Sequence, residues 1–221
     1  MNKSMFVGTV IAAVIAVVIP FVASPADSAS AADKTVQPVT SASSSAPKAG
    51  ASAIAASKCT TAIVGTLKTA PGTVRPSGVS GTTTADLAEF AEAFNQTRID
   101  HCLKPISLSN FRYDYCMQKR LVWMAEDPST NPASAWGHIG SKRSDGVKSV
   151  GCDGNLAGGS GNTATTAAAK WWTSSSHRAS LYRPSYAKSL AKVCIAFAIT
   201  HGGVPNESSS FTRAAAKWVT C

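Results

Sequence analysis

Apolar residues recur along this chain at two different periods, and the change from one to the other organises it. Leu87, Phe90, Ala91 and Phe94 stand at helical spacing, and Thr83-x-x-Asp86 ahead of them has the form of a capping box. The pattern predicts a helix running to about His101. A second helix is predicted from Ser109, with Phe111, Tyr115, Val122 and Ala125 on one side and Pro128 closing it. A third is expected over about Thr163–Thr173, where Ala167-Ala168-Ala169 leads into Trp171-Trp172. A short helical turn follows through His177–Tyr182 and stops at Pro184. Past that proline the period falls to two. Val193, Ile195, Phe197 and Ile199 alternate with Cys194, Ala196 and Ala198, the pattern of a strand buried on both faces. His201 to Ser210 reads as a turn and Phe211–Val219 as the return strand. Residues 127–162, rich in Ser, Gly, Asn and Asp, are expected to be long loops. Helices first and an antiparallel sheet last predict an α+β layered domain over residues 84–221.

The residues ahead of that domain are of a different kind. One cation, Lys3, precedes an apolar stretch from Phe6 to Val22, which Pro20 and Pro25 end. Ala29-Ser30-Ala31 then reads as a signal-peptidase site, so residues 1–31 are expected to be a signal peptide, with an uncleaved membrane anchor as the alternative. Either puts the rest of the chain outside the cytoplasm. Residues 32–57 are Ala, Ser, Thr, Pro and Val with almost no aromatics, too little to offset the entropy of ordering, and read as a disordered spacer. Residues 58–83, with Cys59 and the apolar run Ala62-Ile63-Val64, suggest a strap fastened to the domain, and Pro71 to Gly81 reads as loop.

Cysteine usage agrees with export. Cys59, Cys102, Cys116, Cys152, Cys194 and Cys221 are an even set without a Cys-x-x-Cys pair, which disfavours zinc knuckles and thioredoxin-like redox sites. Three structural disulfides are expected, at least one fastening a terminal segment; the spacing leaves the pairing open. The formal net charge is +9, and losing residues 1–31 removes one cation, Lys3, and one acid, Asp27. Outside the cell such a surface meets anionic wall polymers and anionic lipid rather than nucleic acid.

Four stretches in order carry a family resemblance. Asn95-x-x-Arg98 is followed by Leu103-Lys104-Pro105-Ile106; Trp136-Gly137-His138 puts a lone histidine in a loop; Gly154-Asn155-Leu156-Ala157-Gly158 comes next; then Trp171-x-x-Ser174-x-x-His177-Arg178 runs on to Leu181, Pro184 and Tyr186. This succession resembles the CAP superfamily (cysteine-rich secretory protein-like) in its short bacterial form, across residues 84–221. Cys102 stands where that family usually has glycine. The resemblance implies an α-β-α sandwich with a small antiparallel sheet, and a cleft where two histidines, here His138 and His177, face each other. In many members these bind zinc with one or two glutamates. Here the glutamate position falls on Gly154, and the second acidic position on Thr173 to Ser176, so the acidic half is missing. Asp153 is one residue off and would point elsewhere in an extended segment. No tight metal site and no cofactor are therefore expected.

The candidate cleft residues are His138, His177, Asn155, Arg178 and Trp171. Asn155 also suits a turn-satisfying role, and both histidines suit loop-holding ones. Of Trp171 and Trp172, one is expected on the sheet and one in the cleft or solvent. His101 and His201 fit surface positions. Ser174-Ser175-Ser176 beside His177 lacks a nucleophile elbow and an orienting acid. The expected function is a secreted, monomeric, non-enzymatic protein whose degenerate histidine cleft binds an apolar ligand (lipid, sterol or fatty acid) or anionic envelope material. The alternatives are a wall-associated interaction module and a metal-dependent hydrolase of peptides or wall fragments.

Overall fold

A computed structural model describes residues 59–221. The signal peptide and the spacer expected over 1–57 lie outside the described residues.

Helix α1, Thr84–Asp100, begins as its sequence predicts. The Thr83 hydroxyl accepts from the Asp86 N–H at 3.1 Å, and the Thr83 N–H donates back to Asp86 at 2.8 Å. Leu87, Phe90, Ala91, Phe94, Asn95 and Arg98 form its buried stripe. The helix closes in a Schellman turn: Leu103 N–H reaches Arg98 O at 2.8 Å and Cys102 N–H reaches Ile99 O at 2.9 Å. Cys102 occupies the left-handed position of that turn at φ 55°, where glycine is favoured. A disulfide to Cys59 holds it there and ties the N-terminal strap to the helix end.

Asn95-x-x-Arg98 is structural. Asn95 exchanges two 2.8 Å hydrogen bonds with the backbone of Ile106, while Arg98 donates to Lys104 O at 2.7 Å and Tyr182 O at 2.6 Å. Burial lowers the Arg98 pKa to about 10, which leaves it charged at neutral pH.

The second helix starts later than the period suggested. Leu108–Asn110 is a 3-10 turn, Phe111–Tyr113 is strand β1, and helix α2 covers Tyr115–Ala125. Asp114 caps it by accepting from Met117 N–H at 2.8 Å. Phe111 belongs to the core through the sheet, edge-on to Phe90 and Phe94. Asn155–Ser160, expected to be loop, is strand β2. Helix α3 is Ala164–Thr173, α4 is the single turn Ser175–His177, and a π-type turn Arg178–Tyr182 follows. Strands β3, Val193–Gly203, and β4, Glu207–Thr220, are longer than predicted, so the turn shrinks to residues 204–206.

The sheet order is β1-β3-β4-β2. It is mixed rather than antiparallel, because β1 runs parallel to β3 while β3/β4 and β4/β2 are antiparallel. Ile195, Phe197 and Ile199 pack with α1 and α3 on one face; Ala196, Ala198 and Ala215 pack with α2 on the other. The two-faced burial of β3 was legible in its unbroken apolar run. Phe90 stacks on Phe197 with centroids 4.1 Å apart and meets Trp171 edge-on.

Three disulfides pair Cys59 with Cys102, Cys116 with Cys152, and Cys194 with Cys221. They point to an oxidising, extracytoplasmic compartment. No helix among the described residues is long and apolar enough to cross a membrane. The strap is held by Cys59 and by Val64 O, which accepts from Leu108 N–H and the Ser107 hydroxyl, whereas the Ile63 and Val64 side chains are exposed. Residues 71–83 form a narrow hairpin rather than open loop, with Gly72 N–H on Thr82 O at 2.9 Å and Gly81 N–H on Thr73 O at 2.7 Å.

His201, expected at the surface, is half-buried and bonds Asp86 at 3.1 Å, joining β3 to the start of α1. Burial alone would raise the Asp86 pKa, but the hydrogen bonds from His201 and Thr83 outweigh it and lower it from 3.8. The Asp86 hydrogen bond outweighs burial at His201 and raises its pKa above 6.5. The aspartate contribution is lost as pH falls through its depressed value; the histidine contribution is complete below 6.5 and lost as pH rises through its elevated one. Stability from this pair is therefore greatest between about pH 4 and 6.5. Urea midpoints taken from pH 4 to 9 should decline on the basic side, and His201→Gln should flatten that decline. An unchanged profile in His201→Gln would show the pair to be energetically idle.

Candidate functional site

The cleft is assembled from α2 outward. Cys116 and Arg120 lie one turn apart on that helix and both grip the loop of residues 137–152. The disulfide fixes Cys152, whose N–H also bonds Cys116 O at 3.0 Å. Arg120 is fully buried and donates to Gly137 O at 2.9 Å, His138 O at 2.7 Å and the Ser141 hydroxyl at 2.7 Å, with a further contact to Ser149. Burial lowers its pKa, partly offset by the Asp153 charge. Gly151, at φ 85°, lets the loop lie flat on the helix: a Cβ there would stand 2.5 Å from Arg120 N.

This clamp sets His138 beside Asp153. The ring Nδ1 lies 2.9 Å from one carboxylate oxygen, and Ile139 N–H donates to the other at 3.1 Å. Asp153, expected to point elsewhere from an extended segment, meets the histidine instead, because β2 begins only at Asn155 and the bridge at Cys152 turns Asp153 toward it. Burial would raise the Asp153 pKa, yet the His138 and Ile139 hydrogen bonds outweigh it and hold it below 3.8.

A cleft of about 310 Å³ opens beside this pair. His138, Asp153 and Asn155 line it with Ser180, Arg183, Lys217 and Trp218. Asn155 donates to Ala216 O at 3.0 Å and accepts from the Ser180 hydroxyl at 2.7 Å, tying β2 to β4 and to the turn after α4. Arg183 lies 5.3 Å above the Trp218 ring and holds a left-handed backbone, φ 45°. His177 does not line the cleft, but it lies near enough for the His138 charge to add to burial in lowering its pKa.

Trp171 and Arg178, both expected in the cleft, belong elsewhere. Trp171 is wholly enclosed in the core, so it is no cleft residue. Trp172 is half-buried against His101 and Tyr182, away from the cleft lining. Arg178 is taken up by Trp172: it donates to the Trp172 carbonyl at 2.8 Å and lies over the indole ring. Sequence reasoning missed Arg183, Lys217 and Ser180. Lys217 had a signal, as the one charged residue in the run Ala214-Ala215-Ala216-Lys217-Trp218. Arg183 had none.

The donors present do not suit zinc. Gly154 has no side chain, and a Cβ there would come within 2.8 Å of Met117 Sδ. Asp153 is engaged by His138 and Ile139. Among the described residues no three His, Cys, Asp or Glu side chains converge to hold a metal ion. A carboxylate-oriented histidine is half of a general base, but among the described residues no hydroxyl hydrogen-bonds its ring, and Ser180 donates to Asn155 instead. The cleft gathers two cations, Arg183 and Lys217, and a histidine around one committed acid.

No protein-family model matches this chain, nor does any curated protein or solved structure.

Proposed function

We propose that this chain is a secreted, monomeric CAP-like protein that binds anionic cell-envelope material without chemical turnover. The order of its four motifs, with helices on both faces of a small sheet, supports the CAP sandwich. The observation that carries the function is the charge balance of the cleft. Arg183, Lys217 and His138 surround a space whose one carboxylate, Asp153, is already engaged. Such a lining favours the anionic ligand over the apolar one, and the chain's +9 charge brings polyanions to it.

Purified protein should bind a poly(glycerol phosphate) wall polymer at low salt and release it as salt rises. Arg183→Glu with Lys217→Glu should weaken binding at least about tenfold, because two attractions become repulsions at the same place. Lys192→Glu with Lys188→Glu, equal in charge change but outside the cleft lining, should weaken it much less. Equal losses in the two variants would reduce the interaction to net charge and remove the cleft from it.

A further inference from the structure

Strand β2 closes one end of the sheet, so one of its edges faces β4 and the other faces no strand. The opposite end is closed by β1, which has three residues and runs straight into the cap of α2. β2 has six residues, about 20 Å of chain. Its register with β4 decides which backbone groups point outward. Gly161 N–H reaches Ser210 O at 2.9 Å in continuation of that register, so Gly159, Ala157 and Asn155 turn their N–H and C=O groups toward β4. Leu156 and Gly158 turn theirs away. Both are part-exposed, and among the described residues no other segment of the chain pairs with their N–H groups.

An open row of backbone donors and acceptors is complemented by one chemistry, an extended polypeptide backbone. Two features beside the row select the peptide. On the α2 side of the sheet a hollow of about 270 Å³ lies against Gly158, walled by Pro132, Trp136 and Phe211. It falls below the roughly 300–1,000 Å³ of sites that enclose a whole small molecule, and it suits one large side chain. Gly158 leaves the hollow open, since a Cβ there would lie 2.9 Å from the Trp136 ring. On the α3 side stands Lys170, which donates to Asn162 and, at 3.4 Å, to Gly158 O. It has no carboxylate within ion-pairing distance among the described residues. Successive side chains of an added strand alternate between these two sides.

We propose that β2 takes up an extended peptide as an added antiparallel strand. An aromatic side chain opposite Gly158 enters the Trp136 hollow, and its acidic neighbours in the peptide meet Lys170. A second copy of the chain offers the same backbone, but pairing β2 with β2 would set two Lys170 side chains together without an acid between them. The site shares no lining residue with the histidine cleft.

Calorimetric titration of the full chain with the end-blocked peptide Ser-Val-Glu-Phe-Glu-Val-Ser tests this. One peptide should bind per chain. N-methylation of the Phe amide, which faces Gly158 O, should weaken binding at least about tenfold. N-methylation of the preceding Glu amide, which faces solvent, should change it less than about threefold. Lys170→Glu, at an exposed position and so compatible with folding, should reverse the preference between this peptide and one with both Glu replaced by Lys. Amide exchange at Leu156 and Gly158 should slow at least about tenfold on saturation, whereas Ala157, already turned to β4, should change little. Equal losses from the two N-methyl peptides, or binding that leaves the Leu156 and Gly158 amides unprotected, would overturn the proposal. So would the absence of binding at millimolar peptide, or a dimer in sedimentation equilibrium whose Leu156 and Gly158 amides are protected without peptide.

Discussion

Arg120→Met should destabilise the domain by about 2–4 kcal/mol and free the loop that carries His138. The side chain is fully buried, and its guanidinium satisfies the Gly137 and His138 carbonyls and the Ser141 hydroxyl. Methionine fills similar volume but leaves these acceptors without a donor. Part of that loss is recovered, because a charge no longer has to be desolvated; this keeps the expected cost below the sum of the bonds. Arg120→Lys should rescue little, since an ammonium cannot span the acceptors as a planar fork does. Denaturant midpoints give the stability, and amide exchange over residues 137–150 reads the loop directly. Protected loop amides in Arg120→Met would mean that the Cys116–Cys152 bridge alone suffices. If the loop does loosen, polyanion binding should weaken with it, because His138 would lose its place beside Asp153.

Glu207→Gln should cost more, about 3–5 kcal/mol. Glu207 begins β4 and meets Arg213 of the same strand through two 2.6 Å bonds, with the side chains 8 % and 2 % exposed. Removing the acid strands a buried guanidinium under the long β3–β4 hairpin. The pair as a whole is worth less than either partner's removal suggests, since burying two charges is itself expensive. Glu207→Leu with Arg213→Met should therefore recover most of the loss. A denaturation midpoint for Glu207→Gln close to that of the parent would show that water reaches the pair. A double variant no more stable than Glu207→Gln would show that the charges themselves hold the hairpin register.

The histidine cleft rests on the first of these devices: the Arg120 face of α2 holds the loop that places His138 beside Asp153. Local patterns along the chain specified helices and stopped at strands. Thr83 and Asp86, Leu87 through Phe94, and Ala167 through Trp171 specified α1 and α3, because a helix closes its hydrogen bonds within its own segment. Strands do not. Phe111 matched a helical period with Tyr115, yet it sits in β1 because Ile195–Phe197 offered a parallel partner. Asn155–Ser160 gave no apolar signal, yet it is β2 because β4 supplied a pairing edge.

By itself the sequence determined the α+β class, the starts of α1 and α3, the two-faced burial of β3 and the need for three disulfides. Each depends on residue type or short-range period. The tertiary structure decided the disulfide pairing, the mixed sheet, the contact of Asp153 with His138, and the meeting of Arg183 and Lys217 at one cleft. It also moved Trp171 into the core and set Trp136 and Phe211 beside the open edge of β2. These depend on which distant segments end up side by side, and the packing of the whole chain around its core sets that.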